Sequence, residues 1–134
     1  MSLERVDPDT LYPAHGFAHA VVTTGSRTVF VGGQVASDLT GEILAIGDYQ
    51  IQSDIALRNF ALAVEACGAS VADIAQLNVY IVDSTPARQE QVYAGLASAG
   101  SDIGLRRPTM KVVGVQALGS PVALVELDGI AVCD

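Results

Sequence analysis

IAQLNVYIV, residues 74–82, runs directly into DSTP, residues 83–86. The first nine residues are rich in β-branched and aromatic side chains, with Leu77, Val79 and Ile81 on one face, which predicts a strand. Thr85 followed by Pro86 is a helix start: a hydroxyl caps free backbone N–H groups, and proline fits the first turn. The helix is expected from about Pro86 to Ser98, followed by a loop from Gly100 to Pro108. Thr109 to Val115 is then a further strand. A strand, a helix and a strand in succession form the centre of a layered fold.

Upstream, residues 17–24 (FAHAVVTT) and 28–34 (TVFVGGQ) read as two strands joined by the short turn Gly25-Ser26-Arg27, a hairpin pattern. From about Asp48 to Cys67 the period changes to that of a helix. Ile51, Ile55, Leu62 and Ala66 define a face that Ala56, Phe60, Ala63 and Cys67 widen, while Arg58 and Glu65 fall outside it. Gly68 stands where a left-handed residue closes such a helix. Downstream, Pro121 to Val132 reads as a last strand, and a short strand is possible near Leu3–Val6. The order β-β-α-β-α-β-β places two helices on one face of a mixed sheet, an α+β two-layer arrangement. No repeat or linker divides residues 1–134, which are read as a single domain.

The chain has 134 residues, of which 50% are hydrophobic and only 16% charged; its mean hydropathy is +0.39. So apolar a surface, with a second sheet face that no helix is left to cover, calls for subunit packing. Val113, Val115 and alternating positions of the last strand belong to that face. Seven basic residues stand against fifteen acidic ones, a net charge of −8. Autonomous nucleic-acid binding needs a basic footprint. The one basic cluster here is Arg106, Arg107 and Lys111, so no nucleic-acid partner is expected. The opening segment carries Glu4, Arg5, Asp7 and Asp9 and no apolar run, unlike a secretory leader. No stretch approaches the ~20 apolar residues of a membrane span. The expected location is the cytoplasm.

Few motifs carry chemistry on their own. Gly32-Gly33-Gln34 ends an apolar strand, where glycines fit a bulge. His15 and His19 lie in a loop entering a strand, with no further ligand to complete a metal site. Cys67 and Cys133 have no metal-like spacing. Glu126 interrupts the apolar strand of residues 123–128 (ALVELD) and shares a face with Leu124, Asp128 and Ile130. It reads either as a solvent-facing carboxylate or as the lining of a cleft between subunits. Arg107, before the strand at Thr109, is either a solvated loop residue or a two-point carboxylate binder.

Taken in order, these segments resemble the Rid (reactive intermediate deaminase, YjgF-type) family, also labelled endoribonuclease L-PSP-like. The resemblance runs from about Gly16 to Val132. It rests on FVGGQ at 30–34, the break from Asp38 to Gly41, LRN at 57–59 and ACG at 66–68, Tyr80 with Asp83, Val92-Tyr93, and VELDGIAV at 125–132. The resemblance implies a chorismate-mutase-like fold and a homotrimeric barrel with helices outside and small-molecule sites in the clefts between subunits. It implies hydrolysis of enamines and imines to a carbonyl compound and ammonia, with no cofactor.

Transferred position by position, the implied water-handling glutamate is Glu126, and the strand-end glycine is Gly33. The family's serine position is Gly32, its tyrosine position is Phe17, and its carboxylate-binding arginine position is Met110. Tyr93 of the second helix joins the expected ligand contacts, as does Arg107, although the strand direction aims Arg107 differently from Met110. Without an arginine at 110, a cleft holding Glu126 is expected to repel carboxylates and to suit a neutral or cationic ligand. Two roles stay open: a divergent deaminase, or a non-catalytic trimer that binds or senses a metabolite. A ribonuclease or translation inhibitor fits the net charge least.

Overall fold

The computed structural model describes residues 1–134. Strands β1 (Ser2–Val6), β2 (Ala20–Thr24) and β3 (Arg27–Gln34) precede helix α1 (Tyr49–Ala66). A 3-10 turn at Val71–Asp73 leads into β4 (Ile74–Val82), helix α2 (Pro86–Ile103), β5 (Thr109–Val115) and β6 (Val125–Cys133). Four strands form a mixed sheet in the order β3-β6-β4-β5, and β1 and β2 form a separate antiparallel ribbon. β4 and β5 are parallel, so the chain must cross between them, and α2 makes that crossing. Two helices on one face of a mixed sheet make this an α+β fold, as expected.

The helix signals work as chemistry predicts. The Asp48 carboxylate accepts from the Ile51 N–H at 2.9 Å, and Thr85 Oγ1 accepts from the Arg88 N–H at 3.2 Å. Gly68 and Gly104 follow the two helices at φ of 83° and 79°, left-handed values that glycine adopts without a Cβ clash.

The core lies between the helices and one sheet face. Leu57, Phe60 and Val64 of α1 and Val92 of α2 are fully buried against Leu77, Val79, Ile81, Val125 and Leu127. At Gly129 of β6, an added Cβ would lie 3.0 Å from the Phe60 ring and 2.1 Å from the Gln76 carbonyl oxygen. A glycine there lets the aromatic ring press onto the sheet.

Several expectations are corrected. The buried face of α1 is Gln52, Ser53, Ala56, Leu57, Phe60, Ala61 and Val64. Ile51, Leu62 and Ala66, assigned to that face from the sequence, are exposed. The apolar residues of this helix are spread widely enough to fit two stripes, and packing selects the one rotated toward Leu57 and Val64. The segment 17–34 is not a hairpin: β2 pairs with β1, and β3 pairs with β6. Helix α2 continues past Ser98 to Ile103, where Gly104 stops it, and β6 begins at Val125 rather than Pro121.

The glycine bulge is present. On β3 the register moves from Val31 to Gln34 while β6 moves only from Gly129 to Leu127. The extra residue falls on Gly32-Gly33.

Candidate functional site

The expected site residues form two groups in different places. The first surrounds a cavity of about 590 Å³ between α2 and β5, lined among others by Phe17, Tyr93, Leu96, Arg107, Met110 and Val112. That volume is in the range of small-molecule sites, and such sites are usually apolar with a few placed polar groups. Met110 and Val112 point to the helix side of the sheet, where they pack against the core, because β5 pairs Met110 with the buried Leu77. Tyr93 reaches the cavity from α2 and is 45% exposed, so its ring is available to a ligand. Phe17 arrives from the loop before β2. The Ala18 N–H donates to the Pro108 carbonyl at 3.0 Å and fixes that loop beside β5. The Phe17 ring stands edge-on to His19 at 5.5 Å, and His19 stands edge-on to Tyr12 at 4.7 Å.

Arg107 is held at the rim. Its Nη1 donates to Asp7 Oδ2 at 2.9 Å and to the Phe17 carbonyl at 3.2 Å. Asp7 also accepts from the His19 N–H at 2.9 Å. That backbone hydrogen bond, with the Arg107 guanidinium as the next favourable partner, holds the Asp7 carboxyl below the usual aspartate range. Arg5 lies against the same loop and donates to the Arg106 and Arg107 carbonyls. Burial, then the charges of Arg107 and Arg106, push its guanidinium below its ordinary value.

The second group sits on the other face of the sheet. Glu126 is half-buried there, with its carboxylate against Gly33: a Cβ at Gly33 would lie 2.6 Å from the carboxyl carbon. Gly32 beside it opens on free space. Tyr80 is the register partner of Glu126 on β4. Its hydroxyl donates to Asp128 Oδ2 at 3.2 Å, and Asn78 Nδ2 donates to Asp128 Oδ1 at 2.8 Å. Burial, followed by the Asp128 charge, pushes the Tyr80 phenol above its ordinary pKa. The Asn78 Oδ1 is buried without a partner. Phe30 stands on this face as well, opposite Ile130 and 76% exposed.

Phe17, Tyr93, Arg107 and Met110 therefore come together around one cavity, and Gly32, Gly33 and Glu126 come together elsewhere. Within one chain Met110 and Glu126 point to opposite sheet faces, so a cleft that holds both, as expected between subunits, needs two copies. Arg107, expected to be aimed differently from Met110, lines the same cavity. Sequence reasoning missed Asp7, which lies 100 residues from Arg107 along the chain, and no local pattern links them. It also missed Asn78 and Tyr80 as partners of Asp128, although their alternation along β4 places them on that face. No group of three or more His, Cys, Asp or Glu side chains is arranged to hold a metal ion.

The family model described as Endoribonuclease L-PSP matches residues 8–133. The chain belongs to this family, the Rid proteins. A RutC family protein of Pyrococcus horikoshii is 33% identical over 105 residues, 77% of each chain. The solved structure of YyfB of Yersinia pestis, a conserved Rid protein of unknown function, superposes with a TM-score of 0.88 at 30% identity, covering 98% of this chain and 99% of that one. TdcF of E. coli, solved with bound serine, superposes with a TM-score of 0.70 at 30% identity, covering 94% and 92%. Among Rid proteins this chain keeps the mixed sheet with both helices on one face. No helix is long and apolar enough to cross a membrane.

Proposed function

We propose that this Rid protein is a divergent enamine and imine hydrolase, a homotrimer of single-domain chains acting in the cytoplasm at sites between its subunits. The observation that carries this is the division of the site residues into two groups on opposite sheet faces. A ligand that uses both Glu126 and the cavity beside Met110 needs a second copy of the chain to bring them together. The open sheet face, with Phe30 exposed and Ile130 half-buried on it, supports such packing.

The reaction balances simply. Water adds across the C=N bond, the tetrahedral adduct expels ammonia, and a carbonyl compound remains. Glu126 takes the proton from the attacking water and returns it to the leaving nitrogen. Gly33 leaves room for its carboxylate, and the bulge at Gly32-Gly33 frees backbone groups that can hydrogen-bond the ligand. No cofactor takes part. Gly32, Phe17 and Met110 stand where the family's serine, tyrosine and arginine are expected, so the substrate is altered.

The same three replacements favour a second reading, a trimer that binds a metabolite without turning it over. Some neighbours in the structural comparison are named as endoribonucleases, but a net charge of −8 opposes that role here. The deciding experiment generates 2-aminoacrylate and bulkier imines in situ and compares their decay with and without protein. Acceleration by the wild type that is lost in Glu126→Gln supports the hydrolase. No acceleration for any imine, with ligand binding retained, leaves the binding trimer.

A further inference from the structure

Glu126 stands between two different neighbours. β6 lies between β3 and β4. On the β3 side the Glu126 carboxylate lies against Gly33, where an added Cβ would meet its carboxyl carbon at 2.6 Å. On the β4 side stands Tyr80, its register partner, half-buried on the same open face. Side chains paired directly across neighbouring strands are within reach of one another.

The direction of the Tyr80 hydroxyl is fixed. It donates to Asp128 Oδ2 at 3.2 Å, and Asp128 is itself held through Oδ1 by Asn78 Nδ2 at 2.8 Å. An ionised carboxylate only accepts, so the phenol is the donor. Turning the Asn78 amide over would set its Oδ1 against the same carboxylate. In the orientation it takes, that Oδ1 is buried and unpaired. Unpaired buried acceptors are rare in folded chains, and this one accompanies a carboxylate held in a set direction. With its proton directed to Asp128, the phenol oxygen presents only lone pairs to the open face. Burial first, then the Asp128 charge and hydrogen bond, and last the Glu126 charge hold the phenol above its ordinary pKa, so it stays neutral near neutral pH.

We infer that Tyr80 and Glu126 together hold the attacking water, which donates one hydrogen to the Glu126 carboxylate and the other to the Tyr80 oxygen. This rests on the reading of Glu126 as the group that handles water. Two acceptors engage both hydrogens of the water and leave its lone pairs facing the imine carbon. The water oxygen forms the new C–O bond, and the C=N electron pair moves to nitrogen. Glu126 takes the proton on its side and returns it to that nitrogen. Tyr80 keeps its own proton, directed at Asp128, and changes charge at no step. Tyr80 is thus a catalytic residue that orients water, and Asp128 and Asn78 are positioning residues that act through it.

Tyr80→Phe keeps the ring and removes only the acceptor. In the imine-decay assay, run on the imine that the wild type turns over fastest, it is expected to lower kcat about tenfold or more with KM nearly unchanged. Asp128→Ala should lower kcat as well, because the phenol is then free to turn its proton toward Glu126. In the Tyr80→Phe background, Asp128→Ala should cost nothing further, whereas independent structural effects would give losses that multiply. A crystal structure of the wild type supplies a readout without turnover. It should hold one water within hydrogen-bond distance of both the Glu126 carboxylate and the Tyr80 oxygen. A full kcat in Tyr80→Phe beside an active wild type, multiplying losses, or no shared water would each overturn the assignment and leave the hydrolase standing. A wild type that accelerates no imine would refute the hydrolase and this role together.

Discussion

Replacing Gly33 by alanine is the sharpest perturbation of the Glu126 side of the site. The new Cβ would lie 2.6 Å from the Glu126 carboxyl carbon and 2.7 and 3.0 Å from its oxygens. Ordinary carbon contacts begin near ~3.5 Å, so the carboxylate must retreat by about 1 Å. Gly33 does not use the left-handed region, so alanine fits the backbone, and the group that moves is the end of a flexible side chain. The stability cost is therefore small, about 1 kcal/mol. A reacting group displaced by about 1 Å loses on the order of 10²-fold in rate. Gly32→Ala, whose Cβ meets nothing within 4 Å, is the control for stability and should leave thermal unfolding unchanged. The assay is imine decay alongside thermal unfolding. In a Glu126→Gln background, Gly33→Ala should cost nothing further, because the displaced group no longer handles a proton. A full rate in Gly33→Ala, or the same loss with and without Glu126, would refute the reasoning.

Gln52 is fully buried; it donates to the Ala45 and Val122 carbonyls at 3.3 and 3.1 Å and accepts from the Leu124 N–H at 2.9 Å. Gln52→Leu leaves the Val122 carbonyl and the Leu124 N–H without their partner, while the Ala45 carbonyl keeps the Asp48 N–H, and should cost about 3 kcal/mol, read from the denaturant midpoint. Tyr80 should titrate above its ordinary value in an alkaline absorbance scan, and Asp128→Asn should bring it down. Because its folded pKa is raised, its contribution to stability is present below the ordinary tyrosine value of about 10 and fades as pH climbs through the folded value. Asp7 has the opposite sign. Its folded pKa is depressed, so its contribution is present above the ordinary aspartate value of about 3.9 and is lost as pH falls through the folded value. Near-ultraviolet dichroism of the Tyr12 and Phe17 cluster should follow that loss, and Asp7→Asn should remove the dependence.

By itself the sequence determined the elements whose signals are local. The strand at Ile74–Val82, the cap at Thr85-Pro86 and the bulge at Gly32-Gly33 each depend on residues next to one another, and each stands where it was expected. The family and its α+β layers were legible because the joint order of weak motifs is specific even when no motif is. What only the tertiary structure decided depends on distant partners. Which stripe of α1 is buried was set by contact with the sheet, since either stripe satisfies the helical period. That β2 pairs with β1 rather than with β3 joins it to a strand at the far end of the preceding loop, a partner that a turn sequence does not reveal. The place of Arg107 was decided by Asp7, one hundred residues away, and by β5 pairing in parallel with β4, which sends Met110 to the helix side and leaves Glu126 on the other. Side-chain alternation along a strand is a local rule, but the face it assigns as the site depends on which neighbours the strand finds.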